Sequence, residues 1–107
     1  MTTFDRREQA FEAKFAHEEE ARFHALARRN RLLGLWAAEK LGKTGDAADA
    51  YAKTVVMSDF EEEGDHDVFR KIRKDFDIAG VEQSDHQIRR HMDELLAVAM
   101  EQLAGEK

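Results

Sequence analysis

Apolar residues recur at helical spacing in four stretches of this 107-residue chain, and residues that begin or end helices flank the stretches. Ser84 and Gln87 have the spacing of a capping box at the start of the last stretch, and Gly80 follows the third. No stretch alternates apolar and polar residues as a strand does. The pattern therefore predicts an all-α four-helix bundle with helices near 22–41, 47–63, 66–79 and 85–103.

Each predicted helix has one apolar face, and we expect these four faces to form the core. In the first two helices the expected core residues are Phe23, Leu26, Leu33, Trp36, Ala37, Leu41, Ala48, Tyr51, Ala52, Val55, Val56 and Phe60. In the last two they are Val68, Phe69, Ile72, Phe76, Ala79, Ile88, Met92, Leu95, Leu96, Ala99 and Leu103.

The first stretch is much longer than the other three. From Thr2 to Gly42 the chain contains no proline and one internal glycine, Gly34, so the pattern predicts one helix of about 38 residues, roughly 57 Å long. The other predicted helices are roughly 20–29 Å long and can flank only about half of that length. We therefore expect the first helix to extend beyond the bundle.

Residues 1–18 are predicted to form an amphipathic arm attached to a bundle of residues 19–107. Phe4, Phe11 and Phe15 make a narrow apolar stripe in the arm. The stripe is interrupted before the bundle by polar residues, namely Glu18, Glu19 and Arg22. Because an isolated helix of this length is marginally stable in water, we expect an extended, partly disordered arm. The stripe favours a helix that binds in a groove of another protein; an arm that folds back on its own bundle or pairs in a dimer is the alternative.

Composition and charge narrow the classes of function. The net charge of −6 disfavours nucleic-acid binding, although residues 21–44 carry six basic residues against Glu39 alone. The absence of cysteine excludes disulfides and thiolate metal sites. No apolar run is long enough for membrane insertion, and the first residues do not have the pattern of a signal peptide. We expect a cytoplasmic protein that is monomeric when free.

Local motifs that resemble ligand sites lack essential residues. Residues 42–44 match the end of a phosphate-binding loop, but Ala37 stands where its first glycine belongs, so we interpret them as a helix C-cap. Residues 75–80 resemble the start of a calcium loop, but His86 stands where the ligating glutamate belongs. None of the five histidines has a histidine partner at ligand spacing. The sequence therefore predicts no catalytic residue, no metal and no cofactor.

A basic cluster lies in the first helix at Arg28, Arg29 and Arg31. These residues have two interpretations. They are either a docking surface for an acidic partner or a helix face balanced by acids of the same chain. The candidate balancing acids are Glu61, Glu62, Glu63 and Asp65.

Three long segments carry a family resemblance. They read FDRREQAFEAKFAHEEEARFHALARRNRLLGLWAAEKLG, DAYAKTVVMSDFEEEGDHDVFRKIRKDFD and SDHQIRRHMDELLAVAMEQL, and together they cover nearly the whole chain. They resemble the zeta subunit, an inhibitor protein, of alphaproteobacterial F-type ATP synthases. The motifs AFEAKFAH and RRNRLLGLWAA are long and unusual in composition, which makes the resemblance specific.

The resemblance implies a small four-helix bundle with an inhibitory N-terminal segment. In the family this segment enters the interface of the catalytic alpha and beta subunits beside the central stalk, becomes helical and blocks rotation in the ATP-hydrolysing direction. The residues implied for partner binding are Phe4, Arg6, Arg7, Glu8, Phe11, Glu12, Lys14 and Phe15. The bundle would be the docking body, at the periphery of the inner membrane. A helical adaptor that inhibits nothing is the alternative; a nucleotide sensor is disfavoured because no phosphate loop is present.

Overall fold

The computed structural model describes residues 2–59 and 65–106, with side chains from Glu18 onward. All regular secondary structure in these ranges is α-helical. The helices are α1 (Thr2–Lys40), α2 (Gly45–Ser58), α3 (His66–Ala79) and α4 (Asp85–Gly105). The predicted all-α architecture of four helices, the first of them much the longest, is confirmed.

The end of α2 differs from the prediction. This helix ends at Ser58 with Asp59 as its C-cap, so the expected extension to residue 63 is wrong. Negative side chains are unfavourable at a helix C-terminus, and Asp59 begins an acidic stretch that a longer helix would carry in its last turn. The predicted burial of Phe60 lies outside the described residues.

The four helices form a ring: α1 packs against α2, α2 against α3, and α3 against α4, and α4 closes the ring by packing against α1. Contacts at both ends of the α1–α4 pair show that it is antiparallel, because Arg28 reaches Glu106 while Trp36 stacks on His91. Across the ring, Trp36 meets Phe76 of α3 edge-on, with ring centroids 5.6 Å apart. The single tryptophan therefore joins three helices.

The core contains most of the residues that the apolar pattern predicts. Those with no exposed surface include Leu33, Ala37, Val55, Val68, Ile72, Phe76, Ile88 and Ala99. Two expectations are wrong. Phe23 is 55% exposed because the bundle begins after it, and its ring lies edge-on to His24 instead. Ala79 is exposed because it is the last residue of α3.

The turns follow the helix-ending residues of the sequence. Gly42 and Gly80 have φ of 78° and 71°, and the next residue in each case closes a Schellman motif, Lys43 on Ala38 and Val81 on Phe76. The interpretation of residues 42–44 as a C-cap is confirmed. The predicted capping box of α4 is also present, with reciprocal hydrogen bonds between Ser84 and Gln87.

Gly34 lies at a close contact between α1 and α2. A Cβ atom added to Gly34 would lie 2.7 Å from the Cα of Ala52 and 3.2 Å from the Cβ of Val55. The nearer atom belongs to the backbone, so no side-chain rotation can relieve the contact. The pairing of α1 with α2 therefore requires a residue without a side chain at position 34.

Gly34→Ala should lower the free energy of unfolding by about 1–3 kcal/mol, because overpacking outweighs the higher helix propensity of alanine. Urea unfolding followed by the fluorescence of Trp36 measures the change. Gly105→Ala is the matched control, since no atom lies within 4 Å of a Cβ added there. An unchanged midpoint for Gly34→Ala would contradict the close packing.

Candidate functional site where the long helix leaves the bundle

The helix α1 leaves the bundle over its residues 18–24. Every residue from Glu18 to His24 is exposed, and Ala25 is the first buried residue among the side chains that the structure describes. The residues predicted to interrupt the apolar stripe, Glu18, Glu19 and Arg22, are all exposed. About two full turns of the helix are therefore uncovered before packing begins.

The predicted arm residues precede this uncovered stretch. They belong to α1, which begins at Thr2, but their side chains lie outside the described residues. They are Phe4, Arg6, Arg7, Glu8, Phe11, Glu12, Lys14 and Phe15. That the arm is partly disordered in the free protein stays a prediction.

The structure separates the three arginines of the predicted basic cluster. Arg28 forms an ion pair with Glu106 at the end of α4. Arg29 is 1% exposed and points into the bundle. Arg31 is exposed and lines a cleft of 570 Å³ between α1 and α2. Because Arg29 is buried and Arg28 is paired within the chain, the three arginines do not form one exposed surface together.

Buried Arg29 is the centre of a polar network, and its acidic partner is Asp65, one of the candidate balancing acids. Its Nε donates to Oδ1 of Asn30 at 2.7 Å, and its Nη2 donates to Oδ1 of Asp65 at 2.8 Å. Asn30 Nδ2 in turn donates to Oδ2 of Asp59 at 3.0 Å. Asp59 is the C-cap of α2 and Asp65 the N-cap of α3. The network therefore fastens both ends of the α2–α3 connection to α1.

Burial and neighbouring groups change the pKa of Asp59. Partial burial raises the pKa of Asp59, and the nearby carboxylates of Asp65 and Asp67 raise it further. The hydrogen bond from Asn30 and the positive charge of Arg29 act in the opposite direction without cancelling the effect of burial. Ionised Asp59 is therefore less favourable in the folded protein than in the unfolded chain.

A groove of 710 Å³ lies between α1 and α4 at the point where α1 leaves the bundle. Its apolar lining comes from both helices and consists of Ala21, Ala25, Leu26, Leu96, Met100, Leu103 and Ala104. Met100 is 58% exposed, although it lies beside half-buried leucines. The sequence pattern placed Leu96 and Leu103 in the core, but they are only half-buried because α1 has no further helix to pack against at this end.

The described residues contain no group of three or more His, Asp or Glu side chains able to hold a metal ion. His91 stacks on Trp36 at 4.2 Å, and His24 pairs with Glu20 at 3.6 Å. In the same part of the chain, no helix is long and apolar enough to cross a membrane.

The fold and the groove define a class of protein, a small helical bundle with a protruding helix and an apolar contact surface, which suits protein–protein association. Residues 1–102 match the family of ATPase inhibitor subunit zeta, and the chain belongs to this family. It is also similar to a protein solved by solution NMR, with 49% identity and a TM-score of 0.71 over 79% of this chain and 96% of that one. No curated protein matches the sequence.

Arg29→Ala should lower the free energy of unfolding by about 1–3 kcal/mol, because it leaves the buried side-chain oxygen of Asn30 without its donor and removes the partner of Asp65. Urea unfolding measures the loss. Arg31→Ala is the matched control on the same helix, and as a change at an exposed residue it should stay within about 0.5 kcal/mol of the wild type. Equal effects of the two substitutions would contradict the structural role of Arg29.

Asp59→Asn should stabilise the fold by an amount that increases with pH. Because the pKa of Asp59 is raised on folding, its carboxyl favours the folded state below the unfolded pKa, and this contribution is lost as the pH rises through the folded pKa. Asparagine does not ionise, so the variant does not lose stability in this way as the pH rises. Urea unfolding of both proteins from about pH 4 to about pH 7 measures the difference. A difference that does not change over this range would contradict the pKa shift.

Proposed function

We propose that this protein inhibits ATP hydrolysis by an F-type ATP synthase, with residues 1–18 as the inhibitory arm and the bundle as the docking body. The arm inserts between a catalytic alpha and beta subunit beside the central stalk and blocks rotation in the hydrolysing direction. Membership of the zeta family supports the inhibitory role. No catalytic residue of this chain takes part, because the inhibition is steric.

The observation that carries this proposal is the protrusion of α1. This helix has 39 residues, whereas α2 and α3 have 14 each and α4 has 21. The molecule measures 64 × 27 × 22 Å, and its longest dimension is close to the roughly 58 Å expected for α1. A helix that starts inside the bundle and continues past it can reach into a partner while its other end stays anchored.

The energetics of the arm explain why it must be attached to the bundle. Ordering about 15 residues costs on the order of 15–30 kcal/mol of backbone entropy. Burial of the three phenylalanines at positions 4, 11 and 15 recovers only roughly 5–9 kcal/mol. Helix nucleation is the costly step, and the packed part of α1 provides a nucleus that the arm only extends. The bundle thus lowers the cost of ordering the arm on the partner.

In this mechanism the arm residues have two roles. Phe4, Phe11 and Phe15 are the apolar anchors, since aromatic residues in buried pockets supply most of the energy of an interface. Charged side chains fix the register of the arm against the partner and speed its association. The charged arm residues are Arg6, Arg7, Glu8, Glu12 and Lys14.

Deletion of residues 1–18 should abolish inhibition of ATP hydrolysis and leave the bundle folded, because residues 18–24 are exposed and the buried residues of the described core lie from Ala25 onward. Steady-state hydrolysis by the purified catalytic sector, titrated with each protein, measures inhibition, and circular dichroism checks the fold. Full inhibition by the shortened protein would place the active surface elsewhere. Stable binding of the intact protein without any effect on hydrolysis would favour the adaptor alternative.

Within the arm, Phe11→Ala or Phe15→Ala should weaken inhibition at least about tenfold, whereas Glu12→Ala should change it less than about fivefold. The reason is that buried aromatic anchors contribute more binding energy than screened charges at the rim of an interface. The same titration gives the concentration for half-inhibition of each variant. Equal losses for the phenylalanine and glutamate variants would contradict the anchor role.

A further inference from the structure

The groove between α1 and α4 has the dimensions of a short helical ligand. Its walls run over residues 18–26 of α1 and 96–104 of α4, and each wall is roughly 12 Å long, or about two turns of helix. The small side chains of Ala21, Ala25 and Ala104 lie along it, so a backbone can approach closely. Leu96 and Leu103 offer apolar surface between them. An amphipathic helix binds such a groove through residues spaced three and four apart.

The charges around the groove select the kind of helix. Glu18, Glu20 and Asp65 line it, but Asp65 is already paired with Arg29, which leaves Glu18 and Glu20 against Arg22 as the one arginine or lysine of the lining. The nearby guanidinium of Arg28 is already paired with Glu106. This excess of carboxylates attracts lysine and arginine side chains and repels anions such as phosphates.

From these features we infer that the groove binds a two-turn amphipathic helix with basic flanking residues, belonging to the same catalytic sector that the arm inhibits. The inference rests on the proposed function for the identity of the partner. The groove begins where the arm ends, so one partner can hold both. Once the groove is occupied, insertion of the arm becomes an intramolecular step with a high effective concentration.

A second copy of this chain is a less suitable occupant. Closed dimers form through a two-fold axis that places the same surface on both sides of the contact. Such a contact would bring the carboxylates of Glu18 and Glu20 toward those of the other copy. Like charges across an interface cost binding energy, whereas a basic helix satisfies them.

Met100→Glu in the full-length protein tests the groove, because Met100 is 58% exposed and its replacement leaves the core intact. The substitution should weaken binding to the purified catalytic sector about tenfold or more, since it puts a charge on the apolar surface. Met57→Glu is the matched control, because Met57 is 64% exposed and lies in the other cleft. It should change the dissociation constant less than about twofold.

The charge requirement has a separate test. The double variant Glu18→Gln, Glu20→Gln should weaken binding about threefold to tenfold at low salt and should reduce the salt dependence of the dissociation constant. An unchanged or increased affinity would overturn the choice of a basic helix. Fluorescence anisotropy of the labelled full-length protein measures binding, and sedimentation measures self-association.

The outcomes separate this inference from the proposed function. If the intact protein inhibits hydrolysis and Met100→Glu binds as tightly as the wild type, the groove inference is overturned and the inhibitory role stands. If the intact protein binds without inhibiting and Met100→Glu weakens that binding, the groove inference is supported and the proposed function fails. An equal loss for Met57→Glu, or a loss of self-association with Met100→Glu, would overturn the groove inference in favour of the other cleft or a second copy.

Discussion

The length of α1 is the constraint on which the rest of the molecule depends. A helix of 39 residues that packs against helices of 14, 14 and 21 residues must leave part of its surface uncovered. In the side chains described, the uncovered part runs from His24 back to Glu18. Both candidate contact surfaces, the proposed arm and the groove, are related to this one mismatch. The proposed arm precedes the uncovered residues, and the groove lies where α4 reaches the last packed turn of α1.

Local signals in the sequence were sufficient to predict the helices and most of the core. Gly42, Gly80 and Ser84 act through their own backbone conformation or a nearby hydrogen bond, so their effect is visible in a short window of sequence. The family was also recognisable from long motifs. The end of α2 was harder to predict, because Asp59 leaves the helix to accept a hydrogen bond from Asn30, which is 29 positions away in the chain. Periodicity alone cannot reveal such a partner.

The candidate site was predicted only in part, and Arg29 and Met100 show why. Arg29 resembles its neighbours Arg28 and Arg31 in sequence, but its guanidinium is buried against Asn30 and Asp65. Met100 lies on the same helix as the core residues Met92 and Ala99, and its exposure depends on where α1 leaves the bundle. The burial of Arg29 and the exposure of Met100 both depend on how neighbouring helices are placed against each other. A weak sequence signal for the network existed in the acids that flank the α2–α3 connection, which were considered as possible partners of the arginines.

The network of Arg29 also determines the charge of the surface that remains. Residues 21–44 are the basic part of an acidic chain and carry six basic residues. Two of these positive charges are bound within the bundle, because Arg29 is buried and Arg28 is paired with Glu106. Removing a buried hydrogen-bonded side chain leaves its partners unsatisfied, which ties Arg29 to the fold. The groove beside these arginines is lined on the side of α1 by Glu18, Glu20 and Arg22. Residues 1–20 carry six acids against three bases, so the acidic groove has the sign of the N-terminal sequence and not that of residues 21–44. The proposed basic partner therefore suits this end of the bundle better than the acidic partner considered for Arg28, Arg29 and Arg31.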